Sequence, residues 1–241
     1  MVAHVPYKTY EWFREHRAEV SSWAVWEQPP AMLDPEVGLT TNAIGEVWFF
    51  EVADEDEYWS GIGRALRRDV VLIGLNPAAR EDEHGRLRRD HRLFGCFHDT
   101  DSKKVKDHRL RAIAHHWGLW GAHIVDLDPI TFETSSEIAM DTLLSEQEHR
   151  TDCATLLEET FNRLDPPQDA LVVLLGGGVQ RCSRLTEFRE VFEQFFAEKP
   201  RTIWHHSHQG GLQRRIINAQ SVLGGRQDIS GLWVPERAAQ A

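Results

Sequence analysis

Cysteine is scarce in this chain: Cys96, Cys153 and Cys182 are the only three in 241 residues, widely spaced and odd in number. They form no CxxC pair and no complete disulfide set, and a four-cysteine iron–sulfur cluster is excluded within one chain. Long apolar runs are missing as well. No stretch approaches the roughly 18 apolar residues that a membrane helix requires, and no positively charged start leads into an apolar core. These absences make the expectation a cytoplasmic protein with reduced thiols, no membrane partner and no cofactor. Positive charge is also short, with 27 Lys and Arg against 38 Asp and Glu, a net charge of -11. A protein held to nucleic acid mainly by phosphate neutralisation carries a basic surface. Any such role here must rest on a local patch.

What is present fits a packed globular protein. Apolar residues make up 41% of the chain and nine are Trp, which argues against disorder, and 241 residues suffice for one α/β domain with embellishments. The oligomeric state is not legible. The organising stretch is Asp69-Val-Val-Leu-Ile-Gly-Leu-Asn-Pro-Ala-Ala79. Its apolar run, Val70 to Ile73, is short and rich in β-branched residues, as expected of a strand buried on both faces. Gly74 and Pro77 stop the run and set Asn76 in a loop at the carboxyl end of a strand. In open parallel sheets ligands bind at such ends.

Before this strand, residues 1–68 read as a cap packed on the core. A helix is expected from about Tyr7 to Trp26, an edge strand over Glu46 to Val52, and a helix from the acidic run at Asp54 to Arg68, charged as its dipole favours. Residues 69–241 read as an α/β core, the whole forming one compact domain. The polar stretch Arg80 to Lys106 holds Arg86, Arg88, Arg89, Arg92, Lys103, Lys104 and Lys106, the local basic density that the net charge conceals. Leu110, Ile113, Ala114 and Trp117 recur at helical spacing. Strands follow at 122–127, 170–175 and 201–205. Between and after them come helices through Leu156 to Leu164, with a Ser145-x-x-Glu148 capping box, through Leu185 to Phe195, and through Leu212 to Val222. Alternating strands and helices predict an α/β fold, three-layer αβα, around a central four-stranded, mainly parallel sheet.

Several clusters invite chemistry. Gly176-Gly-Gly178 sits at a strand-to-helix turn where a phosphate or a neighbouring backbone could approach, but GxGxxG fails because Arg181 stands where the last glycine belongs. A tight structural turn is the plainer reading. His205, His206 and His208, with Asp126 and Asp128, could surround a metal. They lack the helical HExxH spacing, and strand alternation would point His205 and His206 to opposite sides; no metal is expected. His115 and His116 flank the core stripe of their helix as surface residues. Cys182 near a helix amino terminus could have a lowered pKa, though no base is placed beside it.

Gly74-Leu-Asn-Pro77 paired with His205-x-Ser207 resembles the uracil-DNA glycosylase superfamily, whose first motif follows the first core strand and whose last, HPS-type motif follows the fourth. Asp107-His-Arg-Leu110, Trp117-Gly118, Gly121 and Ile124-Val-Asp-Leu127 extend the likeness to uncharacterised bacterial proteins with an NPS motif, a helix ending in WG and a VNL-type strand. The resemblance spans about Asp69 to Gly211 and rests on the order and spacing of short motifs.

The resemblance implies an enzyme of DNA repair type that hydrolyses the N-glycosidic bond of a modified or damaged base, in DNA or a smaller nucleotide. Asn76 would position the attacking water and His205 would hydrogen-bond the departing base. Gly74, Pro77 and Ala78 would shape the base pocket, Phe94 or Phe97 would stack on the base, Ser207 would hold a phosphate, and Leu212 would wedge into the base stack. The chain departs from the pattern at His206 and His208, where prolines are expected, and at Asp126, where relatives carry an Asn. An ionised Asp126 only accepts hydrogen bonds, which implies a base with an exocyclic amine or another donor rather than uracil. Two other classes compete: a non-catalytic nucleotide- or nucleic-acid-binding module of the same fold, and a hydrolase of a small phosphorylated ligand.

Overall fold

The computed structural model describes residues 2–26, 48–77, 80–81, 87–88, 93–98, 107–132, 136–206 and 212–223. Its centre is β2 (Arg67–Gly74), in which Val70 to Gly74 are all buried. β5 (Ala122–Asp126) lies parallel on one side of it, β6 (Leu171–Leu175) parallel on the other, and β7 (Arg201–Ile203) continues the parallel set beyond β6. Between β2 and β5 in the chain, β3 (Arg80–Glu81) and β4 (Leu87–Arg88) pair as a separate antiparallel ribbon. The four expected parallel strands are present.

A fifth strand completes the sheet. β1 (Ser21–Trp23) pairs antiparallel with β5, Ser21 opposite Val125, giving the order β1-β5-β2-β6-β7. The sequence places an edge strand at 46–52 instead, where Trp48–Phe50 form one 3-10 turn. The helix expected across Tyr7 to Trp26 is α1 (Tyr7–His16) alone. Its apolar residues do not continue as one stripe, because Trp23 serves the sheet edge, packed between Phe13 and His123.

The helix after Asp54 is also shorter than its charges suggest. α2 (Glu55–Ser60) is capped by the Asp54 carboxylate accepting from Glu57 N, then stops at Gly61, and a 3-10 turn over Ile62–Arg64 leads directly into β2. Gly63 lies flat against the Tyr58 ring, where a Cβ would fall 2.5 Å from a ring carbon. α3 (Asp107–His116) matches its stripe, and Gly121, at φ +80, makes the turn into β5 with its Cα pressed on the Ala65 carbonyl.

α4 (Ser136–Ser145), α5 (Gln147–Leu164), α6 (Gly177–Cys182), α7 (Thr186–Phe195) and α8 (Leu212–Leu223) complete the chain. The Ser145 capping box is not formed: Ser145 ends α4, its hydroxyl donating to Asp141 O at 2.8 Å, and Glu146 precedes α5 without a side-chain cap. α5 packs on α7, with Phe161 meeting Phe192 and Phe196, while α3 packs on α8. The result is the expected three-layer αβα architecture. No helix among the described residues is long and apolar enough to cross a membrane.

In this order the chain passes from β2 outward to β5, then returns across the sheet to β6. The topological switch point therefore lies between β2 and β6, the place at which open parallel sheets bind ligands.

Candidate active site at the carboxyl ends of the parallel strands

The strand-end loops touch one another in series. Gly74 ends β2 opposite Asp126, which ends β5. Pairing continues past both, Leu127 N donating to Gly74 O at 3.1 Å and Asp128 N to Leu75 O at 2.9 Å. On the other side of β2, a Cβ on Gly178 would lie 4.0 Å from the Leu75 side chain, so the loop after β6 leans on the loop after β2. Gly176, at φ +110, approaches His205 so closely that its Cβ would lie 3.0 Å from the His205 Cβ. Gly176 thus allows the close approach of His205, while a Cβ on Gly177 would meet nothing within 4 Å.

Asn76 lies in the loop at the switch point, half-buried beside the buried Pro77. Its Nδ2 donates to Pro77 O at 3.2 Å and to Thr131 O at 3.3 Å. These bonds orient the carboxamide and make Oδ1 its acceptor atom. An amide oxygen so held can position a water; it is too weak a base to deprotonate one unaided.

Asp126 is 1% exposed, and neither carboxyl oxygen has a hydrogen-bond partner. Its Oδ1 occupies the space that a Cβ on Gly74 would need, 2.0 Å from that point, and the tip of the Phe97 ring lies 3.2 Å from it. Burial first, and the charge of Asp128 second, push its pKa well above the ordinary carboxylate range. The neutral acid offers a hydroxyl donor beside a carbonyl acceptor. The direction of this shift runs against an acceptor-only carboxylate, the premise of the preference for an amine-bearing base.

The two candidate stacking residues part company. Phe94 is fully buried among Tyr10, Trp23 and Phe50, so it belongs to the core rather than to a pocket wall. Phe97 is partly buried and lies beside Gly74. Both have left-handed backbone, φ 54 and φ 65, a conformation that costs a non-glycine residue about 1–3 kcal/mol and persists only when its surroundings fix it. Here β1 and the residues after it do so. Ser22 Oγ donates to Phe94 O at 2.7 Å, Trp26 Nε1 to Phe97 O at 3.3 Å, and His98 Nε2 to Val25 O at 2.6 Å. Sequence reasoning missed this strap, whose partners lie more than 70 residues apart.

The histidines after β7 also depart from expectation. β7 ends at Ile203, so strand alternation no longer governs His205 and His206, and their rings lie together with centroids 4.2 Å apart. His206 is 6% exposed, and its Nε2 stands 3.6 Å from Oδ1 of the buried Asp107 at the start of α3. Asp107 ties the His205–His206 pair to the helix that follows the basic stretch. Cys182 is not an activated thiol: it is buried, and burial outweighs the neighbouring Arg181 charge, pushing its pKa up to about 11.

Ala78, Ser207 and His208 lie outside the described residues, as does most of the basic stretch 80–106; Leu212 is the first residue of α8. The structure thus brings Gly74, Pro77, Asn76, Phe97, Asp126 and His205 to one end of the sheet, and moves Phe94 into the core. Comparison with protein-family models, with curated proteins and with solved structures returns no match.

Proposed function

We propose that this chain binds a nucleobase in the crevice at its switch point and hydrolyses the N-glycosidic bond behind it, in DNA or a nucleotide. The reading rests on the resemblance of the GLNP and HxS motifs to those of uracil-DNA glycosylases, and on one observation. Asn76 stands in the loop at the switch point, and contacts between neighbouring strand ends link that loop both to Asp126 and to His205.

Each residue has a role that its chemistry suits. The base inserts over Phe97 and meets the buried Asp126, which has hydrogen-bonding capacity that no protein group uses. As the glycosidic bond stretches, negative charge builds on the base and positive charge on the sugar. His205 stabilises the first by donating to the departing base, and the water held by Asn76 Oδ1 attacks the second. The C1′–N bond breaks, a C1′–O bond forms, and the proton lost by the water passes to solvent or to the base. Activity on DNA requires the target base to leave the stack.

The test is incubation with oligonucleotides and nucleotides carrying uracil, hypoxanthine, and alkylated or amine-bearing damaged bases. Cleavage at abasic sites reads out the oligonucleotides, and release of free base the nucleotides. Excision of at least one base, abolished by Asn76→Ala, supports the reading. No base release from any member of the panel sinks it.

A further inference from the structure

A second cluster lies behind the strand-end loops, where the segment after β5 meets α5. Asp128 is fully buried; His149 and Cys153 project from α5, four residues apart and therefore on one face of the helix. His149 Nε2 lies 2.9 Å from Asp128 Oδ2, and Cys153 Sγ lies 3.5 Å from that nitrogen and 3.4 Å from Asp128 Oδ1. It is the one His/Cys/Asp/Glu group with metal-ligand spacing among the described residues.

We propose that Asp128, His149 and Cys153 bind a zinc ion through one carboxylate, one imidazole and one thiolate. Ligands at the usual zinc bond lengths around a tetrahedral ion stand roughly 3.5 Å apart, the separation of Cys153 Sγ from His149 Nε2. The carboxylate is braced as a zinc ligand usually is: Oδ1 accepts from Ile130 N at 3.1 Å and Thr131 N at 2.9 Å, which leaves Oδ2 turned to His149. Three protein ligands leave a fourth position for water, and the Thr131 hydroxyl lies 3.3 Å from His149 Nε2. The His149 side chain is 16% exposed, so the cluster is reachable from solvent. The soft thiolate and borderline imidazole favour zinc over magnesium or calcium.

Binding is a proton-for-metal exchange. The Cys153 S–H bond breaks, a zinc–sulfur bond forms, and the proton passes to the buffer. His149 binds through the Nε2 lone pair, its remaining ring proton on Nδ1. No oxidant or reductant is needed. The ion would staple the segment after β5 to α5. That segment carries the Thr131 carbonyl that orients Asn76, so the metal would also stiffen one wall of the crevice.

The test is equilibrium zinc binding by the full chain against a chromophoric chelator, with cobalt as a spectroscopic substitute. One equivalent of zinc is expected, together with a cobalt spectrum containing a sulfur-to-cobalt charge-transfer band. Cys153→Ser should remove that band, and His149→Gln should weaken zinc affinity by about 100-fold or more, beyond what losing an outer-shell partner costs. The partly exposed His149 site keeps the test valid if the buried Cys153 variant fails to fold. Zinc should also raise the melting temperature of the native protein and not that of His149→Gln. No stoichiometric zinc binding, or binding unchanged in both variants, overturns the proposal. Neither result bears on base excision, which is read separately.

Discussion

Gly74 and Asp126 stand opposite each other at the ends of adjacent parallel strands, and the carboxyl of Asp126 fills the space where a side chain on residue 74 would begin. Gly74→Ala therefore forces a Cβ to 2.0 Å from Oδ1 and 3.2 Å from the Phe97 ring. Well-packed interiors lose about 1–3 kcal/mol to such overpacking. Chemical denaturation of the variant should show that loss. Unchanged stability would mean the two strand ends are not so close.

Gly121 makes a second sharp prediction, confined to folding. At φ +80, with a Cβ predicted to fall 1.8 Å from the Ala65 carbonyl oxygen, Gly121→Ala is both strained and blocked. Arg67 N donates to Gly121 O and Gly121 N to Ala24 O, so the damage reaches both β2 and the segment after β1. Expression as insoluble protein, or a loss above about 3 kcal/mol in denaturant titration, is expected.

His123 gives stability a pH dependence. It lies on β5 between Phe13 and Trp23, fully buried with neither ring nitrogen partnered, and burial lowers its pKa to about 3 from an ordinary 6.5. The unfolded chain takes up a proton below 6.5 and the folded chain does not. Through this residue, then, stability is full above about pH 6.5 and falls by about 1.4 kcal/mol per pH unit below it, down to about pH 3. Between pH 7 and pH 5 the native protein should lose about 2 kcal/mol more than His123→Phe. Parallel slopes for the two proteins would contradict the buried neutral imidazole.

Asp126 separates a binding group from a packing one. The amide of Asp126→Asn keeps a carbonyl acceptor and puts an NH2 donor in place of the hydroxyl in nearly the same shape, whereas Asp126→Ala removes both functions. Under the proposed base excision, Asn should retain activity within about tenfold and Ala should raise KM sharply. Both cost little in fold stability, because no protein partner is lost. Equal KM for wild type and Ala would remove Asp126 from base recognition.

Much of the architecture is legible in the sequence because it depends on local periodicity. The apolar run at 70–73 and its counterparts at 122–126, 171–175 and 201–203 appear as strands, and the stripes after 107, 147, 186 and 212 as helices. The misreadings arise where tertiary contacts decide. Trp23 looks helical from its neighbours, yet it completes a sheet edge. The polar Ser22 is taken up by Phe94 O across the fold, and the Trp48–Phe50 run, of strand composition, forms a 3-10 turn. In the site, Gly74, Asn76 and His205 could be chosen from punctuation and motif alone. The raised pKa of Asp126 could not, since it follows from burial that only the folded chain creates. His149-x-x-x-Cys153 does leave a trace, two ligand-type residues one helical turn apart, but its meaning needs Asp128 from another element.

The central claim is that Asn76 holds the attacking water, and the most direct measurement is the single-turnover rate of base release by wild type and Asn76→Ala on the best substrate in the panel. The melting temperature and the substrate affinity of the variant are measured alongside, so that a loss of folding or of binding is told apart from a loss of rate. The predicted result is a rate lowered by about 100-fold or more at equal affinity. A rate within a few-fold of wild type in a folded Asn76→Ala protein would contradict the account.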